Sequence, residues 1–168
     1  MGLNVKFLGD NFFKHEPYTD MLQQLGVEVL YGLWYSNNWQ KWLIDNAMYI
    51  DYVYLNRPHT SIKYINFIKE HTKAKIIYYG HDLHYLRELR RYKLEKKEEF
   101  LKIAEKAKEL EFEIFRKADV IYYPSIIEIN EIKGHFPDLN AKAVPAYIFK
   151  IEKRELKPFE NRNDLLFV

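Results

Sequence analysis

Short apolar runs, separated by longer amphipathic stretches, recur along most of the chain. The runs predict strands at residues 5–8, 27–31, 52–55, 75–79, 120–123 and 143–146. Most of them are apolar without alternation, which favours strands buried on both faces. The intervals carry helical periodicity and predict helices over 18–25, 39–49, 62–71 and 125–133. Strands that alternate with helices imply right-handed crossovers. We therefore predict an α/β fold with a Rossmann-like parallel sheet and helices on both faces.

The longest segment between two predicted strands covers residues 83–118. Its second half carries an apolar stripe at helical spacing, formed by Phe100, Ile103, Ala104, Ala107, Leu110, Ile114 and Phe115. Its first half is almost entirely charged and fits either a protruding helix or a helix–turn–helix. Glu111 falls on the apolar stripe. Because an unpaired buried charge is costly, this carboxylate must reach solvent or find a partner such as Arg87, Arg90 or His81. We favour a structural ion pair.

Composition narrows the class of protein. The 168 residues include 26 Lys and Arg against 24 Asp and Glu, a net charge of +2, so no strong field favours nucleic acid as a partner. Cysteine is absent, which excludes a disulfide scaffold, a thiolate metal site and a Cys nucleophile. No apolar run approaches the ~18 residues of a membrane span, and no signal-peptide pattern opens the chain. We expect a soluble, cytoplasmic domain.

Polar and ionisable side chains follow three of the predicted strands. They are Asn56, Arg57 and His59 after the third, His81, Asp82, His84 and Arg87 after the fourth, and Ser125 and Glu128 after the fifth. Ligands of open parallel sheets bind beyond the carboxyl ends of the strands. We therefore predict one substrate-binding cleft lined by Arg57, Asp82, His84, Arg87, Ser125 and Glu128, with His81 as the catalytic candidate.

The segment 80–84 supports three different interpretations. Two histidines flanking Asp82 have the chemistry of a divalent metal site, although no HExxH pattern is present. Asp82 is also placed to cap the helix that follows. In the third interpretation, His81 contacts a sugar or orients a reacting group.

Two further rim residues have simple structural explanations. Ser125 and Glu128 match a capping box, with Ser at the N-cap and Glu three residues later. Arg57 precedes a proline, which predicts extended backbone. An Arg at that point would bind a carboxylate or a phosphate, or pair with a surface neighbour.

Several stretches resemble the N-terminal domain of GT-B glycosyltransferases of the retaining, family-four-like group. They are Leu55-Asn56-Arg57-Pro58, the block Lys75 to Arg87 with Gly80-His81-Asp82-Leu83-His84 at its centre, Glu111 with Ala118-Asp119-Val120, Tyr123-Pro124-Ser125 with Glu128, and Ala143-Val144-Pro145. The block around His81 is the most specific. The resemblance implies that His81 faces the donor sugar across the interdomain cleft. It also implies that the site needs no metal and no further cofactor.

The resemblance also predicts how the chain divides. Residues 1–150 correspond to the acceptor-side domain without its first strand, and 151–168 to a linker and the first strand of a C-terminal, donor-binding domain. The implied partners are a nucleotide sugar and a glycan or lipid-linked acceptor, the latter reached at the membrane surface. Two alternatives remain open: a metal-dependent hydrolase built on His81, Asp82 and His84, and a non-catalytic glycan- or partner-binding domain. We expect the isolated chain to be inactive and to self-associate through the exposed interdomain surface.

Overall fold

A computed structural model describes residues 2–145 as an alternation of strands and helices. In chain order these are β1 (Lys6–Leu8), α1 (Tyr18–Gln24), β2 (Glu28–Leu30), α2 (Leu33–Asn46) with a 3₁₀ turn (Ala47–Tyr49), β3 (Tyr52–Asn56), α3 (Pro58–His71), β4 (Lys75–Tyr79), α4 (His84–Glu95), α5 (Glu98–Lys117), β5 (Val120–Tyr123), α6 (Ile126–His135) and β6 (Ala141–Ala143). The predicted linker and terminal strand at 151–168 lie outside the described residues.

The predicted α/β class with a Rossmann-like parallel sheet is confirmed, although the helices described below cover one face of the four-stranded sheet. Strands β3, β4, β5 and β6 form a four-stranded sheet in that order, and every neighbouring pair is parallel. Strands β1 and β2 form a separate parallel pair. The long segment is a helix–turn–helix, because Lys96 between α4 and α5 adopts left-handed backbone with a φ of 56°. The last predicted strand begins earlier than expected, at Ala141.

The helical layer packs against one face of the four-stranded sheet. Alternate strand residues enter a common core with side chains of α3, α4, α5 and α6; on the sheet these are Leu55, Ile76, Tyr78, Ile121, Tyr123 and Ala141. Sequential strand order explains this arrangement, since right-handed crossovers that all step in one direction put their helices on the same side.

The opposite sheet face is more open, contrary to the expectation that the strands are buried on both faces. On β3, Tyr52 and Tyr54 are 63% and 57% exposed. Among residues 2–145, no helix is both long enough and apolar enough to cross a membrane.

Candidate functional site

The loop that follows β4 passes directly over a core side chain of the next strand. A Cβ atom at Gly80 would overlap the ring of Tyr123, so only glycine fits here. The Gly80 amide donates a hydrogen bond to the Tyr122 carbonyl over 2.9 Å. Sheet packing therefore fixes the start of the loop that carries His81 and Asp82.

A buried carboxylate fixes the other end of this loop. Glu111 of α5 is fully buried, and its two oxygens accept hydrogen bonds from the backbone amides of His84 (2.9 Å) and Tyr85 (3.2 Å). Glu111 therefore satisfies the first turn of α4, where free N–H groups attract negative charge. The predicted ion pair is wrong, since the partner of Glu111 is backbone. The interpretation of Asp82 as N-cap is wrong as well, because the N-cap is Leu83 and no side chain at that position caps the helix.

Burial dominates the electrostatics of Glu111. It raises the pKa of the carboxyl to about 7, while the two amide donors act in the opposite direction and favour the charged form. The group therefore titrates close to neutral pH, inside the core and directly beneath the loop.

Asp82, His84 and Arg87 form a charged cluster at the first turn of α4. Asp82 contacts Arg87 Nη1 at 2.8 Å through one oxygen and His84 Nε2 at 3.3 Å through the other. Burial lowers the pKa of His84, and the Asp82 carboxylate partly offsets this effect. Arg87 also contacts Glu88 through its Nε at 3.2 Å, so two carboxylates neutralise this guanidinium, whose side chain is 56% exposed.

His81 takes no part in the ion pairs that the structure describes for this cluster. The exposed His81 ring packs edge-on against Tyr79, with centroids 5.6 Å apart. It lines an open depression of about 360 Å³ with Tyr54, Asn56, Tyr79, Tyr122, Val144 and Pro145. We call this feature the His81 depression. It belongs to the sheet face opposite the helical layer.

The fifth strand leads into a capped helix. Ser125 is the N-cap of α6, and its Oγ accepts a hydrogen bond from the Ile127 amide at 3.1 Å. Burial raises the pKa of Glu128, although the amides of Leu83 and Ser125 lower it in part. Within residues 2–145, Glu128 Oε2 is buried without a hydrogen-bond partner. The predicted capping role of Ser125 is confirmed.

Arg57 does not have the extended backbone predicted for it. Its φ is +65° and its ψ is 127°, a conformation that costs a non-glycine residue about 1–3 kcal/mol. Pro58 follows as the first residue of α3, and the Arg57 side chain is exposed. The end of β3 is therefore a strained position on the same edge of the sheet as the His81 loop.

The structure thus does not bring the predicted site residues together in one cleft. His81 lines the depression, whereas Asp82, His84 and Arg87 form their own cluster. Arg57, Ser125 and Glu128 are absent from the residues that line the depression. Tyr54 and Tyr122 were not among the predicted site residues, and Asn56 was predicted at the rim but not in the cleft. The alternation along β3 could have indicated Tyr54 and Asn56. Tyr52, Tyr54 and Asn56 lie on one face of this strand, and Val53 and Leu55 lie on the other.

The reaction or ligand of this site is not indicated by a metal-binding cluster or by similarity to a known protein. In the part of the chain that the structure describes, no three His, Asp or Glu side chains are grouped so as to hold a metal ion. No protein-family model matches the chain, and no curated protein or solved structure is significantly similar to it.

Proposed function

We propose that the chain is the acceptor-side half of a retaining glycosyltransferase, which moves a sugar from a nucleotide-sugar donor to a glycan or lipid-linked acceptor. The observation that carries this proposal is the exposed His81 imidazole, on a loop that is held at both ends and lies at the carboxyl edge of a parallel sheet. Ligands of such sheets bind at this edge. The resemblance of the His81 block to GT-B enzymes adds the reaction class.

The loop that carries His81 is held at both of its ends, which suits a catalytic side chain. Gly80 packs on Tyr123 at one end of the loop, and Glu111 holds the amides of His84 and Tyr85 at the other. A catalytic group acts efficiently when its surroundings hold it in place before the substrate arrives. In this proposal His81 contacts the sugar that is transferred and orients it towards the acceptor.

The charged cluster beside the loop has a separate role in the proposal. Arg87 is paired with Asp82 and Glu88, which a donor phosphate would have to replace, and more than half of its side chain is exposed. A planar guanidinium binds phosphate through paired hydrogen bonds. Arg87 is therefore the group within this cluster that the donor's phosphates would meet, with Asp82 and His84 orienting it.

The test is a transfer assay on the protein that the complete gene encodes. Wild type and His81→Ala are incubated with UDP-, GDP- and TDP-sugars and a panel of glycan and lipid-linked acceptors. His59→Ala is the matched control, since His59 is an exposed histidine at the same edge that does not line the depression. We expect transfer by wild type and by His59→Ala, and a lower turnover by His81→Ala with unchanged circular dichroism. Wild type that transfers no sugar from any donor would contradict the proposal.

A non-catalytic glycan-binding domain is the second candidate. The exposed Tyr54 ring on the open sheet face favours it, because an exposed aromatic ring suits the apolar face of a sugar. Glycan binding by the complete protein, without turnover of any nucleotide sugar, would support this candidate over the enzyme.

A further inference from the structure

We propose that the His81 depression binds one pyranose ring of the acceptor, with Tyr54 as its stacking surface and Asn56 as its hydrogen-bonding group. This inference rests on the proposed function, since it names the substrate class of the same site. Its evidence is separate from that for catalysis. It depends on the chemistry of the lining residues, on one buried polar atom and on the size of the depression.

The lining of the depression suits a neutral ligand with both apolar and hydroxyl-bearing surfaces. Its described residues are aromatic, amide, imidazole or aliphatic, and none is Lys, Arg, Asp or Glu. A phosphate would find no fixed cation here, and an ammonium group no carboxylate. Tyr54 is 57% exposed and stacks on Tyr79 with centroids 6.2 Å apart, which gives the depression an aromatic wall.

Asn56 supplies the most specific indication. Its Oδ1 atom is buried and has no hydrogen-bond partner among residues 2–145. A buried acceptor without a donor destabilises a folded protein, so such atoms in native structures call for an explanation. The residue as a whole is half-buried and lines the depression, so a rotation of its amide would let Oδ1 accept a hydrogen bond from a ligand hydroxyl. Asn56 lies opposite Tyr79 in the sheet register, and Tyr79 lies opposite Tyr122, so all three side chains share one face.

The dimensions favour a single ring. A volume of about 360 Å³ is at the lower end of ligand pockets, which span about 300–1,000 Å³. The depression is open, so the rest of a longer glycan would extend into solvent. His81 stands at its margin, which puts the bound ring beside the proposed catalytic side chain.

The test uses the 168-residue chain and saturation-transfer difference NMR. The probes are the methyl pyranosides of glucose, galactose, mannose and N-acetylglucosamine, with uridine and adenosine as flat, neutral comparisons. The variants are Tyr54→Ala and Asn56→Leu. Tyr52→Ala is the matched control, because Tyr52 is an exposed tyrosine of the same strand and face that does not line the depression.

We expect at least one pyranoside to bind, with affinity about tenfold lower in Tyr54→Ala and in Asn56→Leu and unchanged in Tyr52→Ala. Asn56→Leu should also unfold at the same temperature as wild type or higher, because it removes an unpartnered polar atom. Loss of affinity without loss of stability is a result that a merely structural Asn56 would not give. Absence of pyranoside binding, equal effects of Tyr54→Ala and Tyr52→Ala, or binding of nucleosides alone would each overturn the inference.

A second measurement separates this inference from the proposed function. In the complete protein, Tyr54→Ala should raise the acceptor KM while leaving the slow hydrolysis of the donor by water unchanged. Normal acceptor KM in Tyr54→Ala would remove the subsite and leave the transferase proposal intact. If no donor is turned over at all, the transferase proposal fails, and the NMR titrations still decide whether the depression binds a sugar.

Discussion

Replacing Glu111 by Gln should change how the stability of the protein depends on pH. Burial raises the pKa of the Glu111 carboxyl from an ordinary 4.5 to about 7, so the folded chain keeps a proton that the unfolded chain has already released. A folded state that binds more protons than the unfolded state loses stability as the pH rises. This contribution is therefore fully present below pH 4.5 and is lost as the pH rises through 7.

The size of the effect follows from the two pKa values. Each pH unit between them corresponds to 1.36 kcal/mol, which gives about 3 kcal/mol in the free energy of unfolding. The amide introduced by Glu111→Gln cannot ionise and escapes this loss. It has one acceptor oxygen for the two amides of His84 and Tyr85, which should cost about 1 kcal/mol. We expect Glu111→Gln to be slightly less stable than wild type at pH 4.5 and more stable at pH 8.5.

Urea unfolding at half-unit steps from pH 4.5 to 8.5 measures this directly. The fluorescence of Trp34, Trp39 and Trp42 in α2 reports the transition. Glu109→Gln is the control, since Glu109 lies on the exposed side of the same helix. The difference between Glu111→Gln and wild type should move by about 3 kcal/mol in favour of the variant across the range. Curves for wild type and Glu111→Gln that stay parallel would refute the reasoning.

Three further substitutions test the local backbone geometry around the site, and a fourth, Gly134→Ala, is a control. Gly80→Ala should lower the free energy of unfolding by about 3 kcal/mol, because the added Cβ meets the Tyr123 ring. Gly134→Ala in α6 has free space around the added Cβ and should stabilise the protein by about 0.5–1 kcal/mol. Equal urea midpoints for these two variants would contradict this prediction. Ser125→Ala should cost about 1 kcal/mol in the same assay through loss of the α6 cap, and no loss would show the cap to be redundant. Arg57→Gly should raise the melting temperature, since glycine accepts a φ of +65° without strain, and a lower melting temperature would count against strain at this position.

The order of strands and helices could be predicted because apolar runs and helical periodicity alternate so regularly. What periodicity could not predict is which tyrosines are buried. Tyr78 and Tyr123 are inaccessible to solvent, whereas Tyr52 and Tyr54 are largely exposed. The same side chain serves in a core and on a surface, since its ring is apolar and its hydroxyl polar. Treating every tyrosine as apolar concealed the alternation of β3, and with it the wall of the His81 depression.

The partner of Glu111 was unpredictable for a different reason. The sequence indicated correctly that a carboxylate on an apolar stripe needs a partner, but the partners predicted for it were all charged or ionisable side chains. Its actual partners are backbone amides of α4, which every residue except proline carries and which no sequence pattern distinguishes. Only the packing of α5 against the first turn of α4 selects them.

The sequential order of the strands has a consequence for how the sheet assembles. The pairing of β4 with β5 closes a loop about twice as long as the one that pairs β3 with β4, which adds about 0.6 kcal/mol of chain entropy. The hairpin of α4 and α5 lies inside this longer loop and forms from contacts that are local in sequence. We therefore expect β4 and β5 to join after that hairpin has formed.

Pulse-labelled hydrogen exchange during refolding measures the order in which these parts form. The Gly80 amide, which donates to the Tyr122 carbonyl of β5, should gain protection after the amides of α5. Protection of Gly80 before α5 would reverse the order. With the expected order, the loop that carries His81 is among the last parts of the sheet edge to take its native form.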